Sequence, residues 1–453
     1  MPEELAVWLY GINAGTLAEG GRGLSFRFSE AAYRRWGLRS PILSLSMPVS
    51  TRPYGHSVAA PFFEGLLPEG QLRRTIAYDL RISEIDTFGL LAEIGRDCAG
   101  AVVVQPETEG APPVSAQVAE PIGADEVAER IARLPVFPLG VDDRVRVCLP
   151  GMQNKLLLTK TPAGWALPIG APSTHILKPA IHQFPYSVEN EDFCMRLARR
   201  IGLRVATTRI ERVAESPVLV VERFDRVTLP TGGVRRVHQE DANQALGIEP
   251  DRKYEASGGP SLRRVASLLT NWQVPVEELL GQVTFAVAVG DADHHAKNIS
   301  FLHDEDGRIR ITPLYDVMCT RYYSSVTTTP AMFVNGKRHM DEIRADDLVA
   351  EGVAWGLPEA DAESVVFKVL EALPEAIEAE AAASQWSPEP LVRFLKVRGQ
   401  ALHEAINSQV VSPPRVFATQ PCSAPHLSSG RIWVHPYYRE DGTPVRGHWR
   451  HLR

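Results

Sequence analysis

With 453 residues, 44% of them apolar, and a formal charge of -7, the chain is long enough for roughly three domains with filled cores. The acidic balance excludes a uniformly basic surface built for sequence-independent binding of nucleic-acid backbones. Five cysteines, Cys98, Cys148, Cys194, Cys319 and Cys422, are scattered without CxxC spacing, which gives no zinc site and suits a reducing compartment. Met1-Pro-Glu-Glu-Leu5 has no basic-then-apolar leader pattern, and no uninterrupted apolar run reaches ~18 residues. A cytoplasmic protein with no membrane partner is the expectation.

Ala6–Tyr10 and Leu24–Phe28 read as strands, with Asn13-Ala-Gly15 and Gly20-Gly21 as turn punctuation. Helical patterning over 61–95 stops at Gly95, and a strand, Ala101–Gln105, leads into a linker rich in Pro, Glu, Ala and Ser from Pro106 to Ala119. Residues 1–108 therefore form a first, β-rich subdomain. In 109–257, Arg144–Leu149 alternates as a strand, Pro150-Gly151 breaks it, and Lys155–Lys160 resumes before a Pro162-Ala-Gly164 turn. A third strand-like segment, Ser173–Lys178, ends on a lysine. Asn190 caps a helix, Glu191–Ile201, stopped by Gly202. Val218–Asp225 is a buried strand running into charge. Residues 258–410 turn helical, with apolar stripes through Leu262, Val265 and Leu269 and then Leu279, Leu280, Val283 and Val287. The tail, 411–453, carries six Arg, four His and two acids, its basic residues interleaved with aromatics. A disordered extension and a nucleic-acid or partner contact are both open there.

The chemistry concentrates in Asp293-His-His-Ala-Lys-Asn298 and Leu314-Tyr-Asp316. An acid with an asparagine five residues later has the spacing of a kinase catalytic loop, where the Asp takes a hydroxyl proton and the Asn holds magnesium. Ile299–His303 and Arg308–Thr312 read as a hairpin closed by Asp304–Gly307, which returns Asp316 to meet Asn298. Gly151, with Gln153 beside it, sits between strands and not before a helix, which excludes a Walker loop and allows a backbone cover over nucleotide phosphates. Lys178 follows where an ammonium can neutralise phosphate, and Glu191 is either its partner or a helix-dipole complement. Glu222-Arg-Phe-Asp225 reads as an adenine hinge or as a charged strand end. Asp291-Ala-Asp-His-His295 also permits a metal-dependent phosphoesterase, but the upstream motif that would complete a two-metal site is missing from the first 110 residues.

These motifs, with Ser44–Pro48, Pro61–Gly70, Leu90–Val102, His238–Asp241, Lys253–Glu255 and Gly258–Pro260, resemble the HipA family of serine/threonine kinase toxins in order and spacing from residue 5 to about 400. The resemblance implies an α+β, two-lobed protein-kinase-like fold with an N-terminal coupling subdomain, and an enzyme using ATP and Mg2+. It places Gly151, Gln153, Lys155, Lys178 and Tyr315 at the nucleotide, Glu222 and Phe224 at the adenine hinge, and Asp225 near ribose. Asp293 is the implied base, with Lys297 beside it and His295 close to the phosphates, and Asn298 and Asp316 are the implied magnesium ligands. A HipB-like helix-turn-helix antitoxin that links the protein to DNA, and a protein substrate such as an aminoacyl-tRNA synthetase, are the implied partners. The same fold retained as a weakly active or inactive binding protein for the antitoxin is the alternative. One departure stands out: in the family an autophosphorylated Ser immediately precedes the residue pair before the loop glycine, and here that position is Cys148. A thiol accepts phosphoryl poorly, so the self-limiting switch is expected to be absent or moved to Thr159 or Ser173.

Overall fold

The computed structural model describes residues 3–112, 120–142, 144–230 and 233–404, and four short strands between 431 and 451. Two compact units result, Met1–Arg415 and Val416–Arg453. In the first, β1 (Glu4–Leu9), β2 (Ile12–Gly20), β3 (Gly23–Phe28) and, after α1 (Glu30–Trp36), α2 (His56–Gly65), α3 (Gly70–Leu80) and α4 (Thr87–Ile94), β4 (Val102–Pro106) build an antiparallel sheet of order β3-β2-β1-β4. Asn13-Ala-Gly15 is not a turn but lies inside β2. The chain reverses at Tyr10-Gly11, where both residues take positive φ as a two-residue hairpin requires. Gly15 serves close approach instead, since a Cβ there would sit 2.3 Å from the Arg27 carbonyl oxygen and 2.7 Å from the Phe26 ring. Gly15→Ala is expected to cost ~1–3 kcal/mol, seen as a lowered chemical-denaturation midpoint.

The second sheet comprises β5 (Glu120–Pro121) and, after α5 (Ala124–Arg133), β6 (Leu156–Thr161), β7 (Gly164–Leu167), β8 (His175–Pro179), and, after α6 (Ser187–Arg200), β9 (Thr208–Val213) and β10 (Ser216–Glu222), in the order β5-β7-β6-β8-β10-β9. The unbroken apolar run in β10 reflects burial on both faces. Val218 and Val220 join the core of the N-terminal sheet, while Leu219 and Val221 join the core of the helical lobe. Arg144–Leu149 does not form the expected strand. Val145 and Val147 are buried, but the segment lies along the N-terminal subdomain through a single bridge from Val147 to Asp97. Alternation reported burial there without revealing the partner. The expected helix begins a turn early, at Ser187, so Asn190 is not a cap. Its amide donates to the Cys319 carbonyl (3.0 Å) and its oxygen accepts the Cys319 N–H (2.8 Å).

Further on, β11 (Arg226–Thr228) pairs with β12 (Val234–Arg236), and β13 (His238–Asp241) leads into α7 (Ala242–Leu246). Helices α8 (Leu262–Asn271) and α9 (Glu277–Val289) precede β14 (Ser300–His303) and β15 (Ile309–Ile311), the expected hairpin, to which β13 adds a third strand. Helices α10 (Ala345–Ala354), α11 (Glu359–Ala383) and α12 (Glu389–Glu404) complete the helical lobe. No helix among the described residues is long and apolar enough to cross a membrane. In the second unit β16 (Arg431–Val434) pairs with β19 (His448–His451) and β17 (Tyr437–Tyr438) with β18 (Pro444–Val445). The rest of the 411–453 tail, and with it the question of disorder, lies outside the described residues, as do 113–119 of the expected 106–119 linker.

Candidate active site

Every residue expected at the nucleotide, base or metal lines one cleft of about 860 Å3, a volume suited to a nucleotide-sized ligand. The expected base, Asp293, comes from the turn after α9. Gly290 closes that helix in the left-handed region, and a Cβ on it would lie 2.9 Å from Arg398 Nε. Asp291 Oδ1 then accepts the Asp293 N–H (2.9 Å) and Thr320 Oγ1 accepts the Ala292 N–H (2.7 Å). Asp293 Oδ1 accepts a hydrogen bond from Tyr254 (2.8 Å). Burial raises the Asp293 carboxyl above its ordinary value despite Tyr254 and the Lys253 ammonium, which strengthens it as a base. His295 stacks edge-on with Tyr254 at 5.5 Å, and burial holds it well below the usual histidine value. That burial favours the neutral imidazole, and Nδ1 has no hydrogen-bond partner among the described residues.

Asp316 arrives on a segment clamped at both ends. Leu314 exchanges backbone hydrogen bonds with Arg204 and Ala206 (2.8 and 2.9 Å), and Asn190 holds Cys319. Between the clamps Asp316 takes φ +57, a strained conformation of the kind that concentrates at functional sites. Lys178 on β8 bridges Glu191 Oε1 (2.7 Å) and Asp316 Oδ1. Burial opposes charge on all three groups, but the paired carboxylates keep the Lys178 ammonium charged, and Lys178 with Lys155 holds Asp316 below the carboxylate range. Glu191, the buried second partner, is pushed up. Asn298 donates weakly to the Asp293 carbonyl (3.4 Å), and no described residue donates to its Oδ1.

Across the cleft Gly151 has φ +109, and a Cβ on it would come within 2.7 Å of Lys155 Nζ. Lys155 donates to the Pro150 carbonyl (2.8 Å), and burial beside Lys178 lowers it to about 8. Glu222, at the end of β10, is exposed and gives its N–H to the Thr207 carbonyl (2.9 Å). Phe224 packs against Tyr315 at a tilt, with centroids 5.4 Å apart, and Tyr315 donates to the Lys297 carbonyl (2.8 Å).

Two of these cleft residues also carry charged contacts within the protein. Asp225 receives Arg223 through both oxygens (3.0 and 2.8 Å) and the Gly100 N–H (2.7 Å). It lines the cleft and also belongs to a buried cluster with Arg226 and Asp97 that joins the subdomains. Lys297 donates to Asp241 Oδ2 (2.8 Å) and lies 3.7 Å from Glu69. The roles of Asp291, Tyr254, Lys253 and Glu69 were not read from sequence. Asp291 and Tyr254 contact the base directly, and the i, i+2 acids Asp291 and Asp293 were the visible signal for the first. Cys148 is fully buried with its thiol on the Leu66 carbonyl (2.8 Å). Thr159 and Ser173 are buried too, their hydroxyls donating to Pro172 (2.9 Å) and Asp97 (2.5 Å).

Residues 5–105 match the HipA N-terminal domain and 147–377 the HipA-like C-terminal domain. The chain is 37% identical over 368 residues to the putative kinase Y4mE of Sinorhizobium fredii, covering 78% of this chain and 86% of that protein. It is 32% identical over 335 residues to the serine/threonine-protein kinase toxin HipA of Shewanella oneidensis, covering 70% and 76%. Its fold superposes on a chain of the solved Shewanella oneidensis complex of HipA, HipB and operator DNA with a TM-score of 0.76 and 27% identity, covering 90% of this chain and all of that one. The two-lobed α+β architecture, the matched domains and these relatives together show that the chain belongs to the HipA family.

Proposed function

We propose that the protein is a serine/threonine protein kinase of the toxin class, acting in the cytoplasm on a translation-related protein such as an aminoacyl-tRNA synthetase. The observation that carries the reading is the convergence of Lys178–Glu191, Asp293, Asn298 and Asp316 on one cleft. ATP fits this chain's own residues: Lys155 and Lys178 supply cations for a polyphosphate, and apolar Ile176, Val221 and Phe224 line the cleft near the Glu222 hinge. Mg2+ fits as well, since Asn298 and Asp316 offer hard oxygen donors, and that ion is commonly held by one or two protein oxygens together with phosphates and water. Bound Mg-ATP supplies the phosphoryl group and neutralises its charge. Asp293 orients the acceptor hydroxyl and takes its proton, Lys178 holds phosphate charge, and neutral His295 can donate a hydrogen bond without adding charge. The Shewanella oneidensis complex with HipB and operator DNA supports a HipB-like antitoxin as this chain's partner and an indirect link to DNA. Phosphoproteomics after brief induction, wild type against Asp293→Asn, tests the reading. Phosphosites that appear only with wild type are expected, and identical phosphoproteomes with equal growth arrest would leave a kinase-fold binding protein.

Autophosphorylation is expected to be absent from the loop. The Cys148 thiol is buried and pushed well above its ordinary value by that burial, and Thr159 and Ser173 hold their hydroxyls away from the cleft. Incubation with Mg-ATP followed by peptide mass spectrometry should find no phosphate at 148, 159 or 173. Phosphate at any of these positions contradicts the expectation.

A further inference from the structure

The N-terminal subdomain places a carboxylate, Glu69, in the cleft. Pro68 and Gly70 flank Glu69, and Gly70 takes φ +55 as the chain turns into α3. Glu69 is thereby held extended at the head of the helix, with its N–H on the Gly151 carbonyl (3.2 Å) and its side chain in the cleft. Oε2 accepts from Lys253 (3.1 Å), and Oε1, buried without a hydrogen bond, faces Lys297 at 3.7 Å. Lys253 precedes Tyr254, which donates to Asp293. Lys297 lies in the loop between Asp293 and Asn298.

We infer that Glu69 is a positioning residue for phosphoryl transfer, supplied by the N-terminal subdomain, which fixes Lys253 and through it the Tyr254–Asp293 pair while tying that pair to the glycine loop. Three features carry this. Lys253 has Glu69 as its carboxylate partner, so losing that partner leaves a buried ammonium free to swing, and Tyr254 is the next residue. Lys297 has a second anchor in Asp241, so Glu69 is not needed to hold it. The Glu69 backbone and side chain grip the two sides of the cleft at once, so closure of the loop and placement of the base depend on the same residue.

The inference rests on the kinase reading, and the test separates the two. Glu69→Gln keeps size and the backbone bond but removes the charge. It should lower kcat ~10–100-fold, the scale of a small misplacement of reacting groups, and leave the KM for ATP within about threefold because Lys178 and the hinge are untouched. Glu69→Asp should recover part of the rate. Without nucleotide, acylation of Lys253 by an amine-reactive ester, followed by mass spectrometry, should quicken about fivefold or more in Glu69→Gln as the ammonium loses its partner, with Lys297 changing less. Where Glu69→Gln folds poorly, Lys253→Met carries the test: it should match the rate loss, and the double variant should fall no further. Unchanged Lys253 labelling overturns the inference, and so does faster labelling with an undiminished kcat. Wild-type protein that transfers no phosphate overturns the kinase reading and the positioning role with it. A fully active Glu69→Gln overturns the inference alone.

Discussion

Asp293→Asn is expected to lower ATP-dependent protein phosphorylation by ~10²–10⁴, the range for removal of a positioned general base. The substitution is nearly isosteric, and the amide oxygen can still accept from Tyr254. What is lost is the carboxylate proposed to take the acceptor proton. Burial already raises this carboxyl, so it accepts a proton more readily than a solvated aspartate. Nucleotide affinity should change little, because Lys178, Asp316 and the hinge lie outside the substitution. Radiolabel transfer and a binding titration on the same preparations separate the two effects. An intact rate would place the base elsewhere, with Asp291 the nearest carboxylate along the chain.

Asp97→Asn is expected to destabilise the chain by ~3–5 kcal/mol, the cost of stranding buried charge. Asp97 Oδ1 accepts from Arg226 (2.9 Å) and Oδ2 accepts the Ser173 N–H (2.9 Å), while Arg223 and Arg236 each lie 3.6 Å away. Burial alone would raise its pKa, but Arg226, Arg223 and Arg236 overcome this and hold it at about 2, against an ordinary 3.8. A carboxylate depressed in the folded state stabilises above its unfolded pKa and loses that contribution as pH falls through the folded value. The wild-type advantage should therefore persist at pH 7 and shrink from pH ~4 down to pH ~2. Denaturant unfolding of both proteins at neutral and acid pH checks this, and a neutral-pH difference below ~1 kcal/mol would mean that the cluster contributes little.

The catalytic loop, the hairpin after it and the returning Asp316 were legible because their chemistry and their turn signals are local: Asp293 to Asn298 is one loop, and Asp304–Gly307 is a turn with its own glycine. Lys178 was legible as the end of a strand. The arginine contacts of Asp225 were not legible because its environment is made by Gly100 and Asp97, more than a hundred residues earlier, and a charged strand end looks the same whether it faces ligand, a buried arginine or both. Asn190 was misread because cap chemistry and a long-range amide bracket use the same residue type. Glu69 and Lys253 were visible as motif members, yet their meeting depends on how α3 sits against the glycine loop, and no periodicity encodes that.

The division of β10 between two cores has a further consequence. Val220 and Leu219 are adjacent in the chain, yet they answer to different packing environments, one beneath the N-terminal sheet and one against the helical lobe. Sequence neighbours in this strand are thus energetic strangers, while residues far apart in the chain share their fate. Lys178 lies opposite Leu219 in the next strand, so a shift on either side of this common wall moves the ammonium that faces the cleft.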